Sequence, residues 1–411
     1  MKKVELLAPA GNMNKLKTAF HFGADAVYMG GKEFSLRAYA DNFSRKEIVE
    51  AIEFAHSIDK KVYVTANIFP KNEDFEALED YLKFLETAKV DAVLITDPGL
   101  IMRAKQVAPN LELHLSTQAN NLNKYTIEFW AKQGISRVVL ARELSLLEIK
   151  EIKEHNPDTE IEIFIHGAMC ISYSGRCLLS NYLTDRDSNK GECIQVCRWE
   201  FNVDKPGVSL DAGRGNPPLE MQEDSRGTYI LNSKDLNLIE YIDKLAPYVD
   251  SFKIEGRMKS EYYLATVVNA YRRALNEYYK YGSLKNVNEY MQELEKVIHR
   301  KYTSAYIDGK NEETVEYSGI QAGQDYIFVA VILKKLSFNE YLVEMRNRFM
   351  QGDELEIISP TDAHNKTFVV GKMESEDGEE VVDAKIVQQH LKMTIPFNIE
   401  EGDFLRMKVK S

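Results

Sequence analysis

The sequence predicts a (β/α)8 TIM-like barrel followed by a small antiparallel β-barrel. Two observations carry this. Short apolar runs alternate with amphipathic stretches over roughly the first 250 residues, and beyond about residue 321 the pattern changes to closely spaced strands. A third observation, four cysteines gathered in one loop, predicts where the chemistry lies.

The candidate barrel strands are residues 4–8, 26–29, 61–65, 92–95, 113–115, 137–141, 161–165 and 251–254. The first seven recur every 20 to 35 residues or so, the length of a strand plus its crossover helix. Capping-box patterns at Ser44-x-x-Glu47 and Ser145-x-x-Glu148 mark helix starts between them. Eight such units favour a closed barrel over an open doubly wound sheet, and no G-x-G-x-x-G follows the first strand. About 85 residues separate the seventh strand from the eighth, so this interval holds an insertion, at about 166–230. Its first part carries the cysteines. Residues 204–226, rich in Gly, Pro and acidic side chains, read as a loop or hairpin, either a substrate gate or a plain surface excursion. Residues 233–248 then read as the delayed crossover helix, and 261–280 and 287–301 as further helices. Six strands follow at 326–333, 341–345, 354–358, 367–370, 381–386 and 404–409. The expected domains are residues 1–305, the barrel with its insertion, and 306–411, a linker and the β-rich domain.

Composition bounds the function. With 44% hydrophobic and 28% charged residues the chain is an ordinary globular protein, and no apolar run approaches a membrane span, so no membrane partner is expected. The net charge of −12 argues against broad polyanion binding but leaves room for a local basic groove. The opening MKKVELLAPAG lacks the apolar run of a signal peptide, and the expected location is cytoplasmic.

Cys170, Cys177, Cys193 and Cys197 are the only four cysteines and fall within 28 residues as Cys-x6-Cys-x15-Cys-x3-Cys. Disulfides would need an oxidising compartment. Structural zinc takes two close pairs, and only Cys193/Cys197 meets that spacing. An iron-sulfur cluster also takes four thiolates and tolerates wider, irregular spacing, so spacing favours the cluster, with zinc as the alternative. In the barrel reading this loop overhangs the C-terminal face, where such barrels place their active sites.

The run Glu162-x-Phe164-x-x-Gly167-Ala168-Met169-Cys170-x4-Gly175-x-Cys177-x-Leu179-Ser180 resembles the signature of the collagenase-like peptidase family U32. LLAPAGN, GADAVYMGG, STQANN, RVVLARELSL, SNYLTDRDSNKGECIQVCRWE, NSKDL and KIEGRMKS extend the resemblance from residue 1 to about 280. Length and the β-rich tail are most similar to the branch of prephenate-dependent tRNA uridine hydroxylases, which make 5-hydroxyuridine at the wobble position. The family also includes an rRNA cytidine hydroxylase and paired proteins of oxygen-independent ubiquinone synthesis. In the quinone branch four cysteines hold a four-iron four-sulfur (4Fe-4S) cluster, and the matching positions are Cys170, Cys177, Cys193 and Cys197. The resemblance thus implies a tRNA substrate, prephenate as co-substrate, and as further partners a paralogous family member or iron-sulfur assembly proteins.

Prephenate carries two carboxylates, which suit the planar fork of arginine. The candidates are Arg37, Arg142, Arg176 and Arg257, although an arginine taken alone is more often a structural ion-pair residue. His166, four residues before Cys170, is a candidate general acid or a packed core histidine. Asn67 and Gln118 are placed to read a base edge, or to cap neighbouring helices. Two rival functions remain open, a peptidase acting on unfolded or collagen-like protein and a non-catalytic scaffold presenting RNA. No H-E-x-x-H motif is present, and a four-cysteine site would consume every cysteine nucleophile.

Overall fold

The computed structural model describes residues 2–35, 41–170, 172–173, 175–184, 186, 193, 196–198, 202–203, 210–211, 223–224, 227–228, 233–309 and 325–409. The chain packs as two compact units: residues 1–16, 25–258 and 300–321 in one, and 17–24, 259–299 and 322–411 in the other.

The first unit is built on eight parallel strands: β1 (Glu5–Ala10), β2 (Ala26–Gly30), β3 (Lys61–Ala66), β4 (Ala92–Ile95), β5 (Leu113–Leu115), β6 (Arg137–Val139), β7 (Glu160–Ala168) and β8 (Ser251–Ile254). Each pairs with the next, and β8 pairs with both β7 and β1, which closes the barrel. Burial on both faces explains why the strands read as apolar runs rather than as alternating patterns. Both capping boxes form: the Ser44 and Ser145 hydroxyls accept from the backbone N–H of Glu47 and Glu148, whose carboxylates accept the cap residues' own N–H. Asp97 and Asn123 cap two more helices, Pro98–Val107 and Lys124–Lys132.

The N-terminal half of the barrel interior is ionic. Arg137 ion-pairs with Glu5, Glu160 at 2.7 Å and Glu162 at 3.3 Å, while Glu5 also accepts from the Tyr63 hydroxyl at 2.6 Å and the Ser251 hydroxyl at 2.9 Å. Lys253 Nζ donates to Glu162 Oε1 at 2.7 Å. Burial would raise the Glu162 pKa, yet Lys253 and Arg137 outweigh it and hold the carboxyl below the usual range.

Two sequence expectations are corrected here. Residues 233–248 are not one helix: Asp235–Asn237 is a strand antiparallel to β7, followed by short helical turns. An available edge beside the long β7 outweighed the helix-like apolar spacing. The helix expected over 287–301 ends at Leu294. Residues 204–226, expected as a loop or hairpin, lie mostly outside the described residues, though Leu210–Asp211 pairs antiparallel with Asn202–Val203.

In the second unit eight antiparallel strands form one sheet in the order Thr367–Val369, Glu354–Ile358, Phe404–Lys408, Tyr326–Lys335, Glu340–Met345, His390–Thr394, Met373–Ser375, Glu380–Val381. Its two end strands are not paired to each other, so the expected small barrel is an open half-barrel. Its core includes Val329, Val343, Leu355, Ile357, Leu391 and Leu405. Against the sheet, fully buried Arg406 grips Glu293 with two hydrogen bonds, at 2.6 and 2.8 Å, and donates to Glu356 at 2.8 Å. Burial opposes ionisation of Glu293, but Arg406 prevails and holds its pKa down to about 2. Burial pushes the pKa of neighbouring His364 down to about 3.

Both shifts have the same linkage sign. The unfolded chain binds protons that the folded unit refuses, between about 6.5 and 3 for His364 and between 4.5 and about 2 for Glu293. The urea midpoint of this unit is therefore expected to fall as pH drops below about 6.5 and to fall faster below about 4.5. Replacing His364 by Gln should remove the loss above pH 4.5, which unfolding curves at a series of pH values would check.

Candidate active site

One cavity of about 160 Å³ opens at the C-terminal ends of the barrel strands. Its floor comes from the even strands, with Tyr28, Leu94, Val139 and Lys253. Thr65 and Phe164 come from the odd strands, and Asn67, Ser116, Gln118, Arg142, Glu255 and Arg257 from the segments just beyond the strand ends. The cysteine loop supplies the remaining wall through Cys170, Tyr173, Gly175, Cys177, Cys193 and Cys197. All four cysteines therefore line one space, none of them in a disulfide, with Cys170 exposed and the other three half-buried.

Side chains around the cavity are held by specific contacts. Asn67 Nδ2 donates to Gln118 Oε1 at 3.2 Å, and the Ser116 hydroxyl donates to the same oxygen. Asn67 Oδ1 is buried and has no hydrogen-bond partner among the described residues. The Arg142 guanidinium lies over the Phe164 ring, 3.9 Å from its centroid. Buried Arg257 donates from Nη1 to the Ser35 hydroxyl at 2.9 Å. Tyr28 donates to Glu255 Oε2 at 3.0 Å. Among the described residues the cavity is lined by three basic side chains, Arg142, Lys253 and Arg257, against one carboxylate, Glu255. A chain of net charge −12 thus presents a locally positive site.

Two glycines are required by close approach. A side chain at Gly30 would collide with Arg257 Nη1 and the Ser35 hydroxyl. Gly175 has φ +75°, and a Cβ there would lie 2.9 Å from Gln118 Cβ and 3.0 Å from the Phe69 ring, so the cysteine loop rests directly on the Gln118 wall.

Among the residues predicted from sequence, the four cysteines, Asn67, Gln118, Arg142 and Arg257 meet in this cavity. Arg176 is exposed on the cysteine loop and is not part of the lining, and Arg37 lies outside the described residues. His166 is buried with its ring against Tyr302, at 5.3 Å between centroids, and does not line the cavity. A β-bulge is the cause: Lys253 pairs with Phe164 but Ile254 pairs with His166, so β7 takes up an extra residue and the side-chain alternation is broken. Sequence reasoning missed Lys253 and Glu255. The signal was the alternation Lys253-x-Glu255-x-Arg257, which puts three charges on one side of an extended chain.

The thiolate donor set, four on one loop facing one space, fits an iron-sulfur cluster. Among the described residues, however, no three His, Cys, Asp or Glu side chains are grouped closely enough to hold a metal ion, the four cysteines included. None of the eight histidines lines the cavity, so no cysteine or serine there has an imidazole base.

The chain belongs to peptidase family U32, whose model matches residues 11–317, and the family's C-terminal domain model matches residues 324–406. It is 44% identical to tRNA hydroxylation protein P1 of Bacillus subtilis, over 98% of this chain and 95% of that protein. It is 37% identical to tRNA hydroxylation protein P of Escherichia coli, over 92% of this chain and 91% of that protein. A 23S rRNA 5-hydroxycytidine synthase of Escherichia coli is 31% identical over 80% of this chain and 50% of that protein. No described helix is long and apolar enough to cross a membrane.

Replacing Gly30 by Ala is expected to dislodge Arg257 and Ser35 while leaving the barrel folded. Loss of activity by roughly tenfold or more, with a melting temperature lowered by only a few degrees, would be the signature of a charged contact removed from the site. Unchanged activity would place Arg257 outside the working site.

Proposed function

We propose that this protein hydroxylates a uridine of tRNA at C5, at the wobble position, with prephenate as co-substrate and a 4Fe-4S cluster on Cys170, Cys177, Cys193 and Cys197. The observation that carries the reading is the meeting of four free thiols, two amides and two arginines in one barrel-mouth cavity. Support comes also from the names of the Bacillus and Escherichia relatives, two acting on tRNA and one making a 5-hydroxypyrimidine in rRNA.

In this reading each group has a role set by its chemistry. Arg142 and Arg257 pair with the carboxylates of prephenate, for which a guanidinium fork is the best side chain. Asn67 and Gln118 offer amide donors and acceptors to the imide edge of uracil, which carries one N–H between two carbonyls. A wobble base is single-stranded, so it reaches the cavity at little unstacking cost. The cysteine loop, seated on Gln118 through Gly175, covers the reacting ring and limits water. When bound, an iron-sulfur cluster supplies electron transfer, with a potential set by burial and by hydrogen bonds to its sulfurs.

The test is nucleoside mass spectrometry on tRNA from cells whose only copy of this gene carries Cys193→Ala. Loss of 5-hydroxyuridine and its derivatives, with loss of iron from the purified variant, is expected. Retained modification would remove the cysteines from the chemistry and favour an RNA-presenting scaffold.

A further inference from the structure

The cavity floor holds a cation that the roles above leave unused. The Lys253 side chain is 3% exposed, lies in β8, and lines the cavity between the rings of Tyr28 and Phe164, with Nζ 4.5 and 5.4 Å from their centroids. An ammonium has three N–H donors. One goes to Glu162 Oε1 at 2.7 Å, and the other two meet no acceptor among the described residues. Buried ammonium groups are costly unless their donors are satisfied. The ring faces return part of that cost and leave the remaining donors for an acceptor in the cavity. Glu162 cannot take the proton as a free base, because Arg137 engages it as well, at 3.3 Å. Burial lowers the Lys253 pKa, and Glu162, tied through Arg137 to Glu5, opposes that shift, so the amine that lines the cavity is held over a buried carboxylate chain.

We propose that Lys253 is a ligand-contacting residue, receiving a carboxylate oxygen of a small organic acid at the cavity floor, with Glu162 as the positioning residue that aims its ammonium. The inference rests on the co-substrate reading above, which it deepens by adding a third, deeper cationic contact to the two arginines nearer the mouth. It also accounts for a lysine standing among Tyr28, Leu94, Val139 and Phe164 in the cavity lining, where apolar packing could have filled the same place.

The experiment is calorimetric titration of anaerobically purified holoprotein with prephenate, citrate and 2-oxoglutarate as separate probes. It compares the unmodified chain with Lys253→Met, Glu162→Gln and the double variant K253M/E162Q. The double variant removes both charges together, leaves Arg137 with Glu5 and Glu160, and so keeps the fold where the single lysine variant leaves Glu162 short of a partner. Prephenate affinity is expected to fall roughly 10- to 100-fold in K253M and in the double variant, the worth of one hydrogen bond to a charged group. Thermal midpoints should move independently of affinity, and E162Q should weaken binding less than K253M. A double variant that binds as the unmodified chain does would overturn the inference, as would an unmodified chain that binds none of the probes. Lysine-dependent binding of citrate or 2-oxoglutarate, with none of prephenate, would uphold the role of Lys253 and sink the choice of prephenate.

Discussion

The buried ion chain Glu5–Arg137–Glu162–Lys253 is the constraint around which the barrel is built. Its members come from four different strands, β1, β6, β7 and β8, so the ionic contacts cross the interior and tie the two ends of the closed sheet together. Removing any one partner strands a charge in a dry interior, at a typical cost of about 3–5 kcal/mol. A hydrophobic filling would serve stability as well or better, which makes the retained charges an argument for function. Their upper end is Lys253, at the cavity floor. The same element that closes the barrel therefore delivers charge to the site.

The mouth is assembled by close backbone approach. Gly30 leaves room for Arg257 beside Ser35, and Gly175 lets the cysteine loop sit against Gln118 and Phe69. The cationic side chains of Arg142, Lys253 and Arg257, the four thiols, and the Asn67 and Gln118 amides beside the cysteine loop put three kinds of recognition in one space. A cysteine or serine hydrolase needs a base beside its nucleophile, and here the imidazoles lie elsewhere: His114 is buried lower in the barrel against Glu112 and Tyr63, and His166 packs on Tyr302.

Much of the barrel was legible because its strands are buried on both faces and so stand out as apolar runs; 92–95, 113–115 and 251–254 coincide with the observed strands. The Ser44 and Ser145 caps were readable because capping is local chemistry. Long-range competition was not readable. Residues 235–237 became a strand because β7 offered an edge, and the strands Met373–Ser375 and His390–Thr394 were hidden by their charged, alternating composition. At the site, the four cysteines announced themselves by crowding. Lys253 did not, since a lysine inside Ser-Phe-Lys-Ile reads as an interruption of a strand rather than as the residue that points inward. His166 was a site candidate because it stands four residues before Cys170 at a strand end, and the bulge between Lys253 and Ile254 leaves it as the packed core histidine that was its alternative.

The central claim is that the cysteine loop and the cation-lined floor form one site. Its most direct test is the electron paramagnetic resonance spectrum of the anaerobically purified, reduced protein, recorded with and without prephenate. The account predicts a signal from a cluster of about four irons per chain whose g-values or line shape change when prephenate enters the shared cavity. A protein without iron, or a cluster signal that saturating prephenate leaves untouched, would contradict it.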